Sequence, residues 1–225
     1  MTESKTDGAF VGSELWRARA AAWELAALSF RYPDAELARA VASGEWAEAA
    51  GEVAVALGFA LNPAAGAQPS PVADPASLLP ALRAEATRLF VGAPEPACSP
   101  YEGVWRAKDD GVRALLFVNP HSMEVERFAR ACGLGRPSGT NEPLDHVATE
   151  CELLEYLALR AAGATPPEGA PVDADLPGDS AAAAYGAFFQ EHAQAWMPRF
   201  AASAAAEARH PFYRDAAAYL GALVG

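Results

Sequence analysis

The chain lacks a long apolar run, an excess of basic residues, a cysteine pattern and a glycine-rich phosphate loop, and each absence removes a class of function. No stretch approaches the roughly 18 uninterrupted apolar residues of a membrane span. Of its 225 residues, 17 are Lys or Arg and 29 are Asp or Glu, and the formal net charge is −12. That sign is wrong for nucleic acid, whose phosphates need a basic footprint. The 3 cysteines, Cys98, Cys132 and Cys151, are odd in number, widely spaced and in no CxxC. They suit a reducing compartment and make neither a disulfide framework nor a zinc ribbon. Met1 to Val11 carries no basic region followed by an apolar one, so no secretory signal is expected and a cytoplasmic location is. Without a Walker or dinucleotide loop, nucleotide binding has no motif to support it.

What remains is helical nearly throughout. The 52% apolar content is enough for a sizeable core. Ser13 is placed to cap a helix through Phe30 whose apolar residues, Leu15, Trp16, Ala20, Trp23, Ala27 and Phe30, recur at helical spacing. Asp34 caps a short second helix that Gly44 ends. A third, Glu45 to Phe59, sets Trp46, Ala50, Val53 and Leu57 on one face. Asn62 to Pro75 is a Pro-, Ala- and Gly-rich loop, and Asp74-Pro75 opens a helix through Phe90. Val91 to Pro100 is irregular, because its prolines remove backbone donors. Val112 to Val118 is the one β-like run and has no partner strand. Helices resume over Pro120–Cys132 and Glu142–Ala162. The proline-rich segment 163–179 is a second linker and a hinge candidate. The tail is a long Ala-rich helix from Ser180 to about Ala208 and a last one after His210-Pro211. The expectation is a single all-α domain of about nine to eleven helices over residues 1–225.

The richest stretch is Glu142-Pro143-Leu144-Asp145-His146-Val147-Ala148-Thr149-Glu150. Proline at a first-turn position predicts a helix opening here. At about 100° per residue, His146, Glu150, Leu153 and Leu157 then share one stripe. Three readings follow: a peptide-binding site, a metal or catalytic site, or a core histidine satisfied by a glutamate. A metal on His146 and Glu150, in a small helical enzyme, has the right i, i+4 spacing but lacks a third arranged ligand. General acid–base work by Asp145 and His146 lacks a recognisable nucleophile. No Lys or Arg occurs from Pro137 through Leu159, so Glu142, Asp145, Glu150, Glu152 and Glu155 form an acidic patch. It is either a solvated face or a dock for arginine.

Tyr101 and Trp105, one turn apart beside Pro100, either belong to the core or wall a groove for an apolar peptide. The set Phe188, Phe189, His192, Trp196, Phe200, Phe212 and Tyr213 fits a packing stripe.

Three segments occur in order: Leu89-Phe90-Val91-Gly92 leading to Ser99-Pro100-Tyr101-Glu102, then Glu142 to His146 with Glu150, then Phe188 through Tyr213. Together they resemble the TorD/DmsD family of chaperones for molybdenum enzymes, the redox enzyme maturation proteins. The resemblance runs from about Glu14 to Leu223. It implies an all-helical, non-catalytic cytoplasmic protein without a cofactor of its own. Its partner would be the twin-arginine signal peptide, or the immature catalytic subunit, of a molybdopterin oxidoreductase. The family's peptide site would fall on Asp145 and His146, with Pro143 shaping the preceding loop and Tyr101, Glu102 and Trp105 in the facing motif. Two departures stand out: Gly103 where the family often has serine, and Val118-Asn119-Pro120 in place of a glycine-bearing step. A generic helical peptide-binding protein is the further alternative. A monomer is expected, with exchange of the C-terminal helices across 163–179 as the other assembly.

Overall fold

A computed structural model describes residues 3–61, 74–111, 119–135 and 143–225, with side chains from residue 12 onward. Among the described residues there are ten α-helical segments and no β-strand. Two of the segments are fused end to end by a π turn. The first helix, α1 (Glu3–Phe30), begins well before the expected cap at Ser13. Ser13 lies inside it, and its hydroxyl donates instead to the carbonyl of Ala162 at 3.1 Å. Helix α2 (Ala35–Ser43) starts where Asp34 accepts the Leu37 N–H and ends at Gly44, whose φ of 87° would strain any side chain. Helix α3 (Glu45–Leu57) stops at Gly58, two positions before the expected end. Helix α4 (Pro75–Ala86) opens on Asp74, which accepts the Ala76 N–H, followed by proline at the first position. It runs into a π turn, Thr87–Val91.

The remaining segments are α5 (Glu102–Asp109), α6 (Pro120–Ala131), α7 (Val147–Ala161), α8 (Ala181–Phe188), α9 (Gln194–Glu207) and α10 (Pro211–Val224). A second π turn, Phe189–Ala193, joins α8 to α9, so the expected Ala-rich rod is continuous but locally widened. Most of the predicted loop after Asn62, the β-like run 112–118 and Glu142 lie outside the described residues.

Helices α1 and α7 form the central pair. Ser13 meets Ala162 at one end and Arg31 meets Glu152 at the other, so the two run antiparallel. Alanines Ala20, Ala22, Ala26 and Ala27 on α1 are buried and allow close approach to Cys151, Leu154, Leu157 and Ala158 of α7. Helices α3, α8 and α10 close around that pair. The buried tryptophans keep their polar ends satisfied: Trp23 donates to the Tyr185 hydroxyl at 2.8 Å and Trp46 to Ser29 at 2.9 Å. An aromatic cluster of Phe30, Phe90, Phe200 and Tyr213 joins α1, the first π turn, α9 and α10, with ring centroids 5.3–5.9 Å apart. Phe188, Trp196, Phe200, Phe212 and Tyr213 are buried, as packing positions should be.

The 163–179 connection is fastened rather than loose. It contains two 3₁₀ turns, Asp173–Asp175 and Pro177–Asp179, and Leu176 is 2% exposed. The buried guanidinium of Arg160 holds it, donating to the Pro171 carbonyl at 2.9 Å, to the Tyr156 hydroxyl at 3.0 Å and to Asp173.

A second buried tie fixes the turn into α10. The Glu85 carboxylate takes two bonds from Arg88, at 3.0 and 2.9 Å, and accepts the backbone N–H groups of Arg209 and His210. Its bond to Arg88 leads the effects that lower its pKa from 4.5 to about 2. Glu85→Ala leaves a guanidinium and two amides short of their acceptor and is expected to cost about 2–3 kcal/mol, read as a shift in urea midpoint. Because the folded pKa is depressed, this stabilisation is present above pH 4.5 and is lost as pH falls toward 2. The variant should therefore show a shallower acid-denaturation slope than the parent.

Candidate functional site

The Asp145–His146 pair does not sit on a helix. The structure corrects the expected opening at Glu142–Pro143, because α7 begins at Val147 and residues 143–146 form a turn and a short extended step. The cause is tertiary. The Glu102 N–H donates to the Asp145 carbonyl at 3.0 Å, and the Val147 N–H donates to the Pro100 carbonyl at 2.8 Å. These bonds make an antiparallel bridge between Tyr101 and His146, which withdraws the backbone from the helical ladder. His146 becomes the N-cap of α7, its Nδ1 accepting the Ala148 N–H at 3.1 Å. That acceptance places the ring proton of neutral His146 on Nε2. The Tyr101 ring packs edge-on against the imidazole, centroids 5.3 Å apart. Two residues predicted as facing motifs are thus brought into direct contact.

The expected acidic patch is corrected in part. Asp145, Glu150 and Glu102 are at most 1% exposed and offer no open dock. Asp145 Oδ2 accepts the Gly103 N–H at 2.9 Å and the Ser122 hydroxyl at 2.6 Å, which makes it the anchor for the first turn of α5. Burial still raises its pKa beyond what those donors can offset. Glu102 accepts from Arg106 at 2.9 Å and faces His192 Nδ1 at 3.0 Å. His192 itself comes from the second π turn and stacks on Phe188. Glu150 accepts from Trp196 at 3.0 Å rather than pairing with His146. Burial, and then the charge of Glu102, raise its pKa well above its ordinary value. Both i, i+4 readings of His146 and Glu150, shared metal and core pair, therefore lose their geometry. Among the described residues no group of three or more His, Cys, Asp or Glu is arranged to hold a metal ion.

Two clefts flank this junction, separated by Thr149 and Glu152 of α7, which border both. The first, of about 360 Å³, has an apolar floor of Phe30, Phe90 and Pro100 and a wall of Tyr101 and His146. Its rim is unusual: Tyr32 is 60% exposed and Val91 61% exposed. Arg31 and Glu152 also line it. The second, of about 310 Å³, is lined by Val125, Leu134, Pro143, Leu144, Leu153 and Tyr156 among others. Trp105 lines neither. Its indole donates to the Ser99 carbonyl at 2.8 Å, and its ring lies against Phe200 and beneath the cations of Lys108 and Arg199. Tyr101 and His146 thus share one cleft, Pro143 and Glu150 line the other, and Glu102 and Asp145 line neither. Sequence reasoning missed Arg31, Tyr32 and the cleft role of Phe90 and Val91. Phe90 and Val91 belonged to a quoted motif, but nothing local signals the π turn that presents them.

Gly103 has a steric reason. A Cβ at this position would fall 2.4 Å from the Ser122 hydroxyl and 3.0 Å from Asp145 Oδ2. Gly103→Ser should therefore lower the melting temperature, overpacking costing about 1–3 kcal/mol. Adding Ser122→Gly should recover most of the loss, since the new hydroxyl can take over the bond to Asp145. Equal melting of the single and double variants would contradict that account. A further expectation concerns Glu155, half-buried on α7, whose pKa is raised to about 7 by burial, then by Glu24 and Glu152. A raised carboxyl stabilises the fold only while protonated in it, so its share is present below pH 4.5 and lost as pH rises through 7. Glu155→Gln should raise the melting temperature at pH 8 and leave it nearly unchanged at pH 5.

Comparison with known proteins turns this geometry into a family assignment. A family model described as "Nitrate reductase delta subunit" matches residues 43–202, a span that runs from the end of α2 through most of α9 and includes Tyr101, Glu102, Asp145 and His146. No individual curated protein and no solved structure matches the chain. The match covers more than two thirds of the chain and accords with the resemblance to TorD and DmsD. The chain belongs to the nitrate reductase delta-subunit family, a family of molybdoenzyme maturation chaperones.

Proposed function

We propose that this protein is a cytoplasmic chaperone that binds the immature catalytic subunit of a molybdopterin oxidoreductase, through its twin-arginine signal peptide where the client carries one. Binding would hold the subunit competent for cofactor insertion and delay its export. The family description makes a nitrate reductase catalytic subunit the first client class to test. One observation carries the reading: the Tyr101–His146 cleft joins an apolar floor to a carboxylate, Glu152, at its edge. A twin-arginine segment has the matching halves, an apolar stretch and a cationic head. Apolar burial against Phe30, Phe90 and Val91 would supply affinity at about 25 cal/mol per Å². An arginine on Glu152 would supply orientation and discrimination.

Asp145 acts in this reading through position, not contact. It fixes the start of α5, and with the adjacent backbone bridge it sets Tyr101 against His146. The reading is tested with a labelled twin-arginine leader peptide and with capture of clients from the native host under anaerobic respiration. Tyr101→Ala and His146→Asn, which keeps a capping side chain, should each weaken peptide binding about tenfold at unchanged helicity, a loss of about 1.4 kcal/mol. Unchanged affinity in both variants, together with no molybdoenzyme subunit enriched over a control bait, would overturn it.

A further inference from the structure

The cleft already holds a guanidinium of the chain's own. Arg31 follows the last turn of α1, and its Nε lies 3.4 Å from Glu152 Oε1 across the cleft that both residues line. Their side chains are 51% and 45% exposed, so the pair is wet and weakly held. The surroundings nevertheless favour a cation. Glu152 carries a raised pKa from burial even with Arg31 beside it, and Glu155 is raised in turn by burial, by Glu24 and by Glu152. Arg31 meets the carboxylate at long range, which leaves Glu152 able to take a closer cation. The exposed apolar rim, Tyr32 and Val91, adjoins Arg31 directly and is the part of the cleft that an apolar segment would cover.

We propose that Arg31 is an internal latch: its guanidinium occupies Glu152 in the free chaperone, and an arginine of the client displaces it as the apolar segment settles on Tyr32 and Val91. This rests on the reading of the cleft as the client site and adds its regulation. The latch has three physical consequences. It screens an under-neutralised carboxylate cluster in the empty protein. It sets a threshold, because a client must bring a cation to compete. It also favours arginine over lysine, since a client guanidinium can engage both Glu152 oxygens in a planar fork, tighter than the single 3.4 Å contact from Arg31 Nε. Arg31 lies immediately after α1 and outside the matched span 43–202.

The test measures fluorescence anisotropy with a fluorescein-labelled synthetic leader peptide bearing an arginine pair before a leucine- and alanine-rich stretch. Arg31→Ala should bind it about two- to fivefold more tightly than the parent, the range that an exposed ion pair can supply. In a Glu152→Gln background the same Arg31→Ala change should give no gain, because there is no latch left to release. Circular dichroism checks that all four proteins fold alike. Equal or weaker binding by Arg31→Ala overturns the latch and leaves the cleft reading standing. A gain that persists in the Glu152→Gln background also overturns it, because the effect is then general charge repulsion. Absence of binding by all four proteins overturns the cleft reading and the latch together.

Discussion

Burying a carboxyl group is costly unless donors meet it, and this chain brings Glu102, Asp145 and Glu150 to one helix junction almost without solvent contact. Each acid therefore dictates its surroundings. Asp145 requires the first turn of α5 and a hydroxyl from α6; Glu102 requires Arg106 of its own helix and a histidine from the rod formed by α8 and α9; Glu150 requires the Trp196 indole. The demands reach onto α5, α6 and the rod of α8 and α9, and can be met together in one arrangement. Helix α5 has eight residues, too few to persist by itself, and it is these contacts that keep it in place. The backbone bridge that sets Tyr101 on His146 hangs from the same junction, so the cleft wall inherits its position from the acids beneath it.

The cleft combines a fixed floor with a rim that costs little to rearrange. Its floor belongs to the central aromatic cluster, where close-packed rings leave little freedom. Its rim consists of a half-exposed ion pair and two exposed apolar residues, Tyr32 with the Arg83 guanidinium 5.7 Å over its ring and Val91. A chaperone needs that division. Under the proposed reading, the floor would give every client the same seat, and the rim would adjust to sequences that share a pattern rather than an identity.

Local chemistry made much of the fold legible in the sequence. Asp34 before α2, Asp74-Pro75 before α4 and Ser180 before α8 act as caps because each needs only a neighbour two or three residues away. The packing stripe of the tail was legible for the same reason. The opening of α7 was misread because the proline signal at Pro143 is local, whereas the bonds that defeat it come from Pro100 and Glu102. Periodicity placed Glu150 correctly on the leucine stripe. It could not show that the side chain would be bound to Trp196, 46 residues away, with its pKa raised by burial. Arg31 and Glu152 were invisible as a pair, since nothing in either segment announces the other. The site residues named from the resemblance were brought to one region, but in different roles: Tyr101 and His146 at a surface, Glu102 and Asp145 beneath it, Trp105 apart.

The two π turns carry one more consequence. A π turn accommodates a single residue beyond the α-helical register without breaking the helix. Both lie in functional territory: one carries Phe90 and Val91 into the cleft, the other presents His192 to Glu102. Removing one residue from Phe189–Ala193 would restore the ordinary register and rotate all of α9 by about 100° relative to α8. Trp196 and Phe200 would then leave their partners together. The core packed around each π turn therefore excludes the simpler, regular helix at that point.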